Sequence, residues 1–200
     1  MKKTMILVGL VVAVLMLSPV AKADQLVFTT TLTGSQEVPP TGSPGIGSAL
    51  VTLDTVTNIL TVNVSFAGLV SPTIASHIHC CAGPGTNAMV ATAVPTFPGF
   101  PLGVTTGTYL MSFDLTAAST YNPAFIAANG GTVAAAQAAF IAGLTNGLTY
   151  LNIHTQQFPT GEIRGQLVGE IPEPASLLLL ATGLLGAAGA MRKRRQRADK

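Results

Sequence analysis

Ile59-Leu60-Thr61-Val62-Asn63-Val64-Ser65-Phe66 decides the fold class. Leu60, Val62, Val64 and Phe66 recur at every second position, with Thr61, Asn63 and Ser65 between them. Successive side chains of a strand point to opposite faces, so this run predicts a strand with one buried and one solvated face. Just before it, Thr57-Asn58 suits a hairpin tip. Working outward, similar β-branched runs broken by Gly, Pro and Asn predict strands over 26–33, 47–54, 75–79, 107–114 and 150–154, with a last one over 161–168. Thr132 to Leu144 changes period: Val133, Gln137, Phe140, Ile141 and Leu144 fall at helical spacing. A second helical turn is expected over 123–128, opened by Asn122-Pro123. The expected architecture is mainly β: an antiparallel, Greek-key-like β-sandwich with one or two short helices inserted before the last two strands. Residues 81–102, rich in Pro and Gly and containing Phe97-Pro98-Gly99-Phe100-Pro101, read as a long loop that covers something.

The two ends have a different character. Lys2 and Lys3 precede an apolar run from Met5 to Leu17, and Ala21-Lys22-Ala23 supplies a small-x-small pattern. Residues 1–23 therefore read as a secretory signal peptide, cleaved after Ala23 by signal peptidase. At the other end Pro172-Glu173-Pro174 precedes an apolar stretch, 175–191, and the basic tail Arg192-Lys193-Arg194-Arg195-Gln196-Arg197. That order predicts a short transmembrane helix with its basic flank on the cytoplasmic side and a single domain, 24–169, facing outward.

With the ends set apart, the overall charge of +2 is misleading. Between Gln25 and Glu170 the only cation is Arg164, against Glu37, Asp54, Asp114, Glu162 and Glu170. Neutralising phosphates needs clustered Lys and Arg, so nucleic acid is excluded as a partner. Phosphate-binding glycine motifs, a nucleophile elbow and a metalloprotease helix are all missing, so the reading leans away from an enzyme.

Three candidate features remain. His77, His79 and His154 are the only histidines. Residues i and i+2 of a strand share a face with Cβ atoms about 6 to 7 Å apart, so His77 and His79 can chelate one ion while Ile78 packs inward. His154 would supply a third imidazole, which suits copper or zinc. Equally, neutral histidines can hydrogen-bond neighbouring strands or Glu37 and Glu162 with no metal. Cys80 and Cys81, adjacent in an oxidising compartment, can form a vicinal disulfide, bridge to another chain, or leave Cys80 as a thiolate ligand. Glu162 and Arg164, two residues apart on one predicted strand, suggest a structural ion pair.

The C-terminal order of Pro172-Glu173-Pro174, apolar helix and Arg-rich tail resembles the PEP-CTERM sorting signal. The resemblance implies processing by an exosortase-type enzyme in a Gram-negative bacterium. The product would lie in the cell envelope, at the surface or in an extracellular matrix, with extracellular polysaccharide or envelope proteins as partners. The combination of 32–40 (LTGSQEVPP), 75–79 (ASHIH), 150–155 (YLNIHT) and 158–167 (FPTGEIRGQL) resembles the CHRD domain. That resemblance implies a sandwich-like domain of secreted proteins and a non-enzymatic binding or structural role, with copper or zinc binding through the three histidines as the alternative.

Overall fold

The structure is a computed structural model that describes residues 25–170, together with 182, 183 and 186. Nine strands follow in chain order: β1 (Gln25–Thr33), β2 (Ile46–Asp54), β3 (Ile59–Ala67), β4 (Thr73–Cys80), β5 (Met89–Val90), β6 (Gly107–Asp114), β7 (Thr149–Thr155), β8 (Ile163–Gln166) and β9 (Val168–Gly169). Two helices, α1 (Pro123–Ala128) and α2 (Val133–Thr145), lie between β6 and β7. Every named strand pairing is antiparallel, and the strands form one sheet in the order β5-β4-β7-β8-β1-β2-β3-β6, with β9 also on β1. Beside the three sequential antiparallel strands β1-β2-β3 lies β8, the eighth strand, so the run β8-β1-β2-β3 has a Greek-key-like order without four consecutive strands.

The first half follows directly from the alternating pattern. β2 and β3 pair from Ile46↔Ala67 to Asp54↔Ile59. At their turn Asp54 Oδ1 accepts from Val56 N at 2.8 Å and Thr57 N at 2.9 Å, and Asn58 takes a left-handed φ of 59°. Val51, Leu53, Leu60, Val62 and Val64 are fully buried on the inner face. The sheet curls so that both halves feed one core cluster: these residues join Ile78, Leu151, Ile153 and Ile163 from the other half and Phe125, Phe140 and Leu144 from the helices. The sandwich is thus made from a single folded sheet.

The long segment after β4 is more ordered than its composition suggests. It contains β5, which pairs His79↔Val90 and Cys80↔Met89. Phe97 and Phe100 turn into the core, Phe97 stacking on Tyr109 with ring centroids 5.7 Å apart and Phe100 on Phe66 at 5.6 Å. The predicted last strand divides at Leu167, which is buried and donates its N–H to Thr149 O. Before it, β8 pairs with β7; after it, β9 pairs with β1.

Both helices are capped by side chains. Asn122 Oδ1 accepts from Ala124 N at 3.0 Å with Pro123 in the first turn, and Thr132 Oγ1 accepts from Ala135 N at 3.2 Å. A Cβ on Gly143 of α2 would collide with the sulfurs of both Cys80 and Cys81, which form a disulfide at the end of β4. The glycine lets the helix lie directly on that bridge. Gly143→Ala should therefore lower unfolding stability by about 1–3 kcal/mol despite alanine's better helix propensity, because two bonded sulfurs cannot yield space. Urea denaturation of the disulfide-intact protein measures this, and an unchanged or raised midpoint would mean that α2 has room to move.

Candidate metal centre

Strand pairing places the three histidines on one face. His79 lies opposite Tyr150, His77 opposite Asn152, and Ala75 opposite His154, while Asn152 and Tyr150 lie opposite Arg164 and Gln166 on β8. The inner face of β4, β7 and β8 carries Ile78, Cys80, Leu151, Ile153 and Ile163. Their outer face carries His77, His79, Tyr150, Asn152, His154 and Arg164, and all six are buried. This half of the sheet is covered on both sides, so its outer polar layer must find partners within the protein.

The covering segments supply them from the backbone. His77 Nε2 donates to Pro95 O at 2.7 Å, His79 Nδ1 to Ala88 O at 2.9 Å and His154 Nδ1 to Pro159 O at 3.1 Å. A carbonyl oxygen only accepts, so each contact requires the proton on that nitrogen and fixes the tautomer. The remaining nitrogens are His77 Nδ1, His79 Nε2 and His154 Nε2, each left as a lone pair. His77 Nδ1 and His154 Nε2 face each other at 3.2 Å, and His79 Nε2 is buried without any partner. One ring nitrogen from each histidine lies within 4.8 Å of the other two.

Burial lowers the pKa of all three rings, to about 4 for His79 and about 4 for His154, and backbone hydrogen bonding only partly opposes this. The neighbouring imidazoles push His154 down further, and His77 and Arg164 do the same to His79. At neutral pH the rings are uncharged, the state a metal ligand requires. Zinc or copper bonds of ~2.0–2.1 Å in tetrahedral geometry set ligand nitrogens about 3.3 Å apart, close to the His77–His154 spacing. Spacings of up to 4.8 Å exceed that value, so an ion would have to draw the rings together.

Around the trio, Arg164 holds the covering segments in place. Its Nε donates to Gln36 O, its Nη1 donates to Asn87 Oδ1 at 2.8 Å, and its guanidinium lies 4.5 Å from the Tyr150 ring centroid. Tyr150 also stacks on His79, with centroids 4.7 Å apart, and its hydroxyl accepts from Ala88 N and donates to Ala88 O. Glu37 is buried beside Arg164. Burial pushes its carboxyl up to about 7, and the guanidinium charge only partly offsets this.

The other sequence candidates are placed differently. Cys80 points to the inner face, opposite His79, and is bonded to Cys81, so its sulfur has no route to the trio. Glu162 and Arg164 do not pair. Glu162 Oε1 accepts from Ser43 Oγ and Val70 N, each at 2.7 Å, and Oε2 accepts from Thr155 Oγ1 at 2.6 Å. The ion-pair expectation assumed a strand through both residues, but β8 begins at Ile163 and Gly161 turns the chain at φ 133°. Glu37, expected from the sequence as a hydrogen-bond partner of the histidines, lies at the site beside Arg164 instead. Tyr150 and Asn152 belong to the site without having been expected there, and their i, i+2 spacing before His154 is the signal that could have found them. Ala23 and Pro172, Glu173 and Pro174 lie outside the described residues, as does all but a few residues of the 175–191 stretch. Among the described residues no helix is long and apolar enough to cross a membrane.

The depressed histidine pKa values fix a stability trend. Each folded value lies below the unfolded ~6.5, so the contribution is present above pH ~6.5 and lost as pH falls toward 4. The urea midpoint of the metal-free protein should fall across that window, and His154→Gln should flatten the fall. An equally steep fall in the variant would place the acid-sensitive groups elsewhere. Glu37 has the opposite sign: its raised value favours the fold below the ordinary carboxylate pKa, and that contribution is lost as pH rises through about 7. Glu37→Gln should therefore raise the thermal midpoint at pH 8 more than at pH 5.

No curated protein and no solved structure matches this chain. The PEP-CTERM protein-sorting motif matches residues 170–195, which marks an exported, envelope-associated protein processed by exosortase-type machinery. The CHRD domain model matches residues 28–167, which include β2 to β8, most of β1, both helices and every residue of the histidine site, and the chain belongs to the CHRD domain family.

Proposed function

We propose that this protein is a non-enzymatic component of a Gram-negative cell envelope or extracellular matrix whose CHRD domain holds one copper or zinc ion through His77, His79 and His154. The observation that carries the reading is the tautomer pattern. With three backbone carbonyls taking the ring protons of neutral imidazoles, His77 Nδ1 and His154 Nε2 face each other at 3.2 Å as two lone pairs. Left empty, that arrangement is repulsive and leaves a buried acceptor unmet. A cation bound by all three nitrogens removes both costs, and three imidazoles without a thiolate or carboxylate suit copper or zinc.

The exported chain, purified and offered copper or zinc at near-stoichiometric amounts, should retain about one ion per chain and gain thermal stability. His77→Gln and His154→Gln should each lose the ion. Elemental analysis reads the content, and equal retention by the variants would sink the assignment.

A structural contact role finds separate support on the outer face of β1, β2, β3 and β6. Thr31, Ser48, Ser65 and Thr108 lie in one cross-strand row, with Ser48 and Ser65 hydroxyls 2.9 Å apart. This uncharged row of hydroxyls, with exposed Leu50 and Leu110 beside it, suits neutral polymer such as extracellular polysaccharide better than an anionic partner. Residues 175–191 serve as the membrane segment before processing, with the basic tail cytoplasmic. Deleting 172–200 should release the protein into the medium, as cell fractionation would show; unchanged retention would rule out the tail as the anchor.

A further inference from the structure

Three of the four buried side-chain polar atoms that lack a partner among the described residues lie on or beside the outer layer of β4, β7 and β8: His79 Nε2 and Asn152 Oδ1 on the strands, and Glu37 Oε1 from the segment after β1. Asn152 is the cross-strand partner of His77 and sits two residues before His154, so it borders two of the three histidines. Glu37 and Asn152 meet over Gly161, where an added Cβ would lie 2.5 Å from Asn152 Nδ2, 2.6 Å from Asn152 Oδ1 and 2.7 Å from Glu37 Oε1. Both residues are almost fully buried, Asn152 at 1% and Glu37 at 5% exposure. Two unmet acceptors thus lie beside a histidine cluster whose ring nitrogens come within 4.8 Å of one another.

Resting on the metal reading, we propose that the histidine trio is an open centre, and that Glu37 and Asn152 line an exchangeable fourth position that takes a small oxygen ligand bearing hydrogen, such as water. Three protein ligands leave a fourth position on a tetrahedral ion. A ligand bound there through oxygen directs its hydrogens outward, and two acceptors are the complementary wall for them. The same wall disfavours small anions without hydrogen, since two unmet oxygen lone pairs would face their negative charge. Glu37 and Asn152 act as positioning residues, through the ligand rather than on the ion. Gly161 gives them room, because any side chain there would displace both.

The test uses the exported chain loaded with Cu2+, with solvent-proton relaxation reporting an exchangeable water and azide titration reporting anion entry by its absorption band. Wild type should enhance solvent relaxation and bind azide weakly. Glu37→Gln should retain copper and bind azide about tenfold more tightly, a change of about 1.4 kcal/mol; Asn152→Asp, which keeps shape and adds charge, should weaken azide binding. Copper content and near-ultraviolet circular dichroism establish that each variant is folded and loaded. Copper retained with no solvent relaxation enhancement overturns the open position alone, as does equal azide affinity in all three proteins. Copper not retained by wild type overturns the metal reading and this inference together.

Discussion

Burial of β4, β7 and β8 on both faces is the constraint from which the functional half of the domain follows. An antiparallel sheet can leave one face to water, as β2 and β3 do with Thr61, Asn63 and Ser65. Here the second face is covered, and it carries imidazoles, an amide, a phenol and the only cation of the described domain. Burying such groups without partners costs several kcal/mol, so the covering segments must arrive with acceptors in place. Ala88, Pro95 and Pro159 bring them as backbone carbonyls, and Arg164 fastens two of the covers by bonding Gln36 and Asn87.

Two buried carboxylates show how differently the same group can be accommodated. Glu162 is enclosed by two hydroxyls and an amide, which meet its oxygens and tie residues 43 and 70 to the end of β7. Glu37 has a guanidinium nearby but an oxygen with no partner, and its proton affinity rises accordingly. Satisfaction by neutral donors holds a fold together, whereas an unmet oxygen leaves capacity for something that is not part of the chain.

Much of this was legible in the sequence where the cause is local. The alternation from Leu60 to Phe66 encodes β3, and the alternating histidines with Ile78 between them encode a strand with a polar outer row. The turn to helical period from Val133 encodes α2. What was hidden depends on contacts between distant segments. β5 is two residues long and exists only because β4 lies beside it. Leu167 interrupts what reads as one strand because its N–H pairs with Thr149. The carbonyls that fix the histidine tautomers belong to alanine and prolines, whose side chains carry no sign of the task. The Glu162–Arg164 expectation failed for the same reason, since i and i+2 share a face only if the strand extends through both.

β1 pairs along its whole length with β2, but its other edge is closed by Arg164 at one end and by Val168 and Gly169 near the other. The first strand of the domain thus waits for nearly its last residues. A chain made from its N-terminus can pair β1, β2 and β3 at once, while the edge of β1 stays open until the final segment is present. Contacts of such long sequence separation are slow to form, and an open edge invites the wrong neighbour. The residues that close the sheet run straight into the sorting motif, which starts at residue 170. Completion of the fold and completion of the address therefore depend on the same last stretch of the chain.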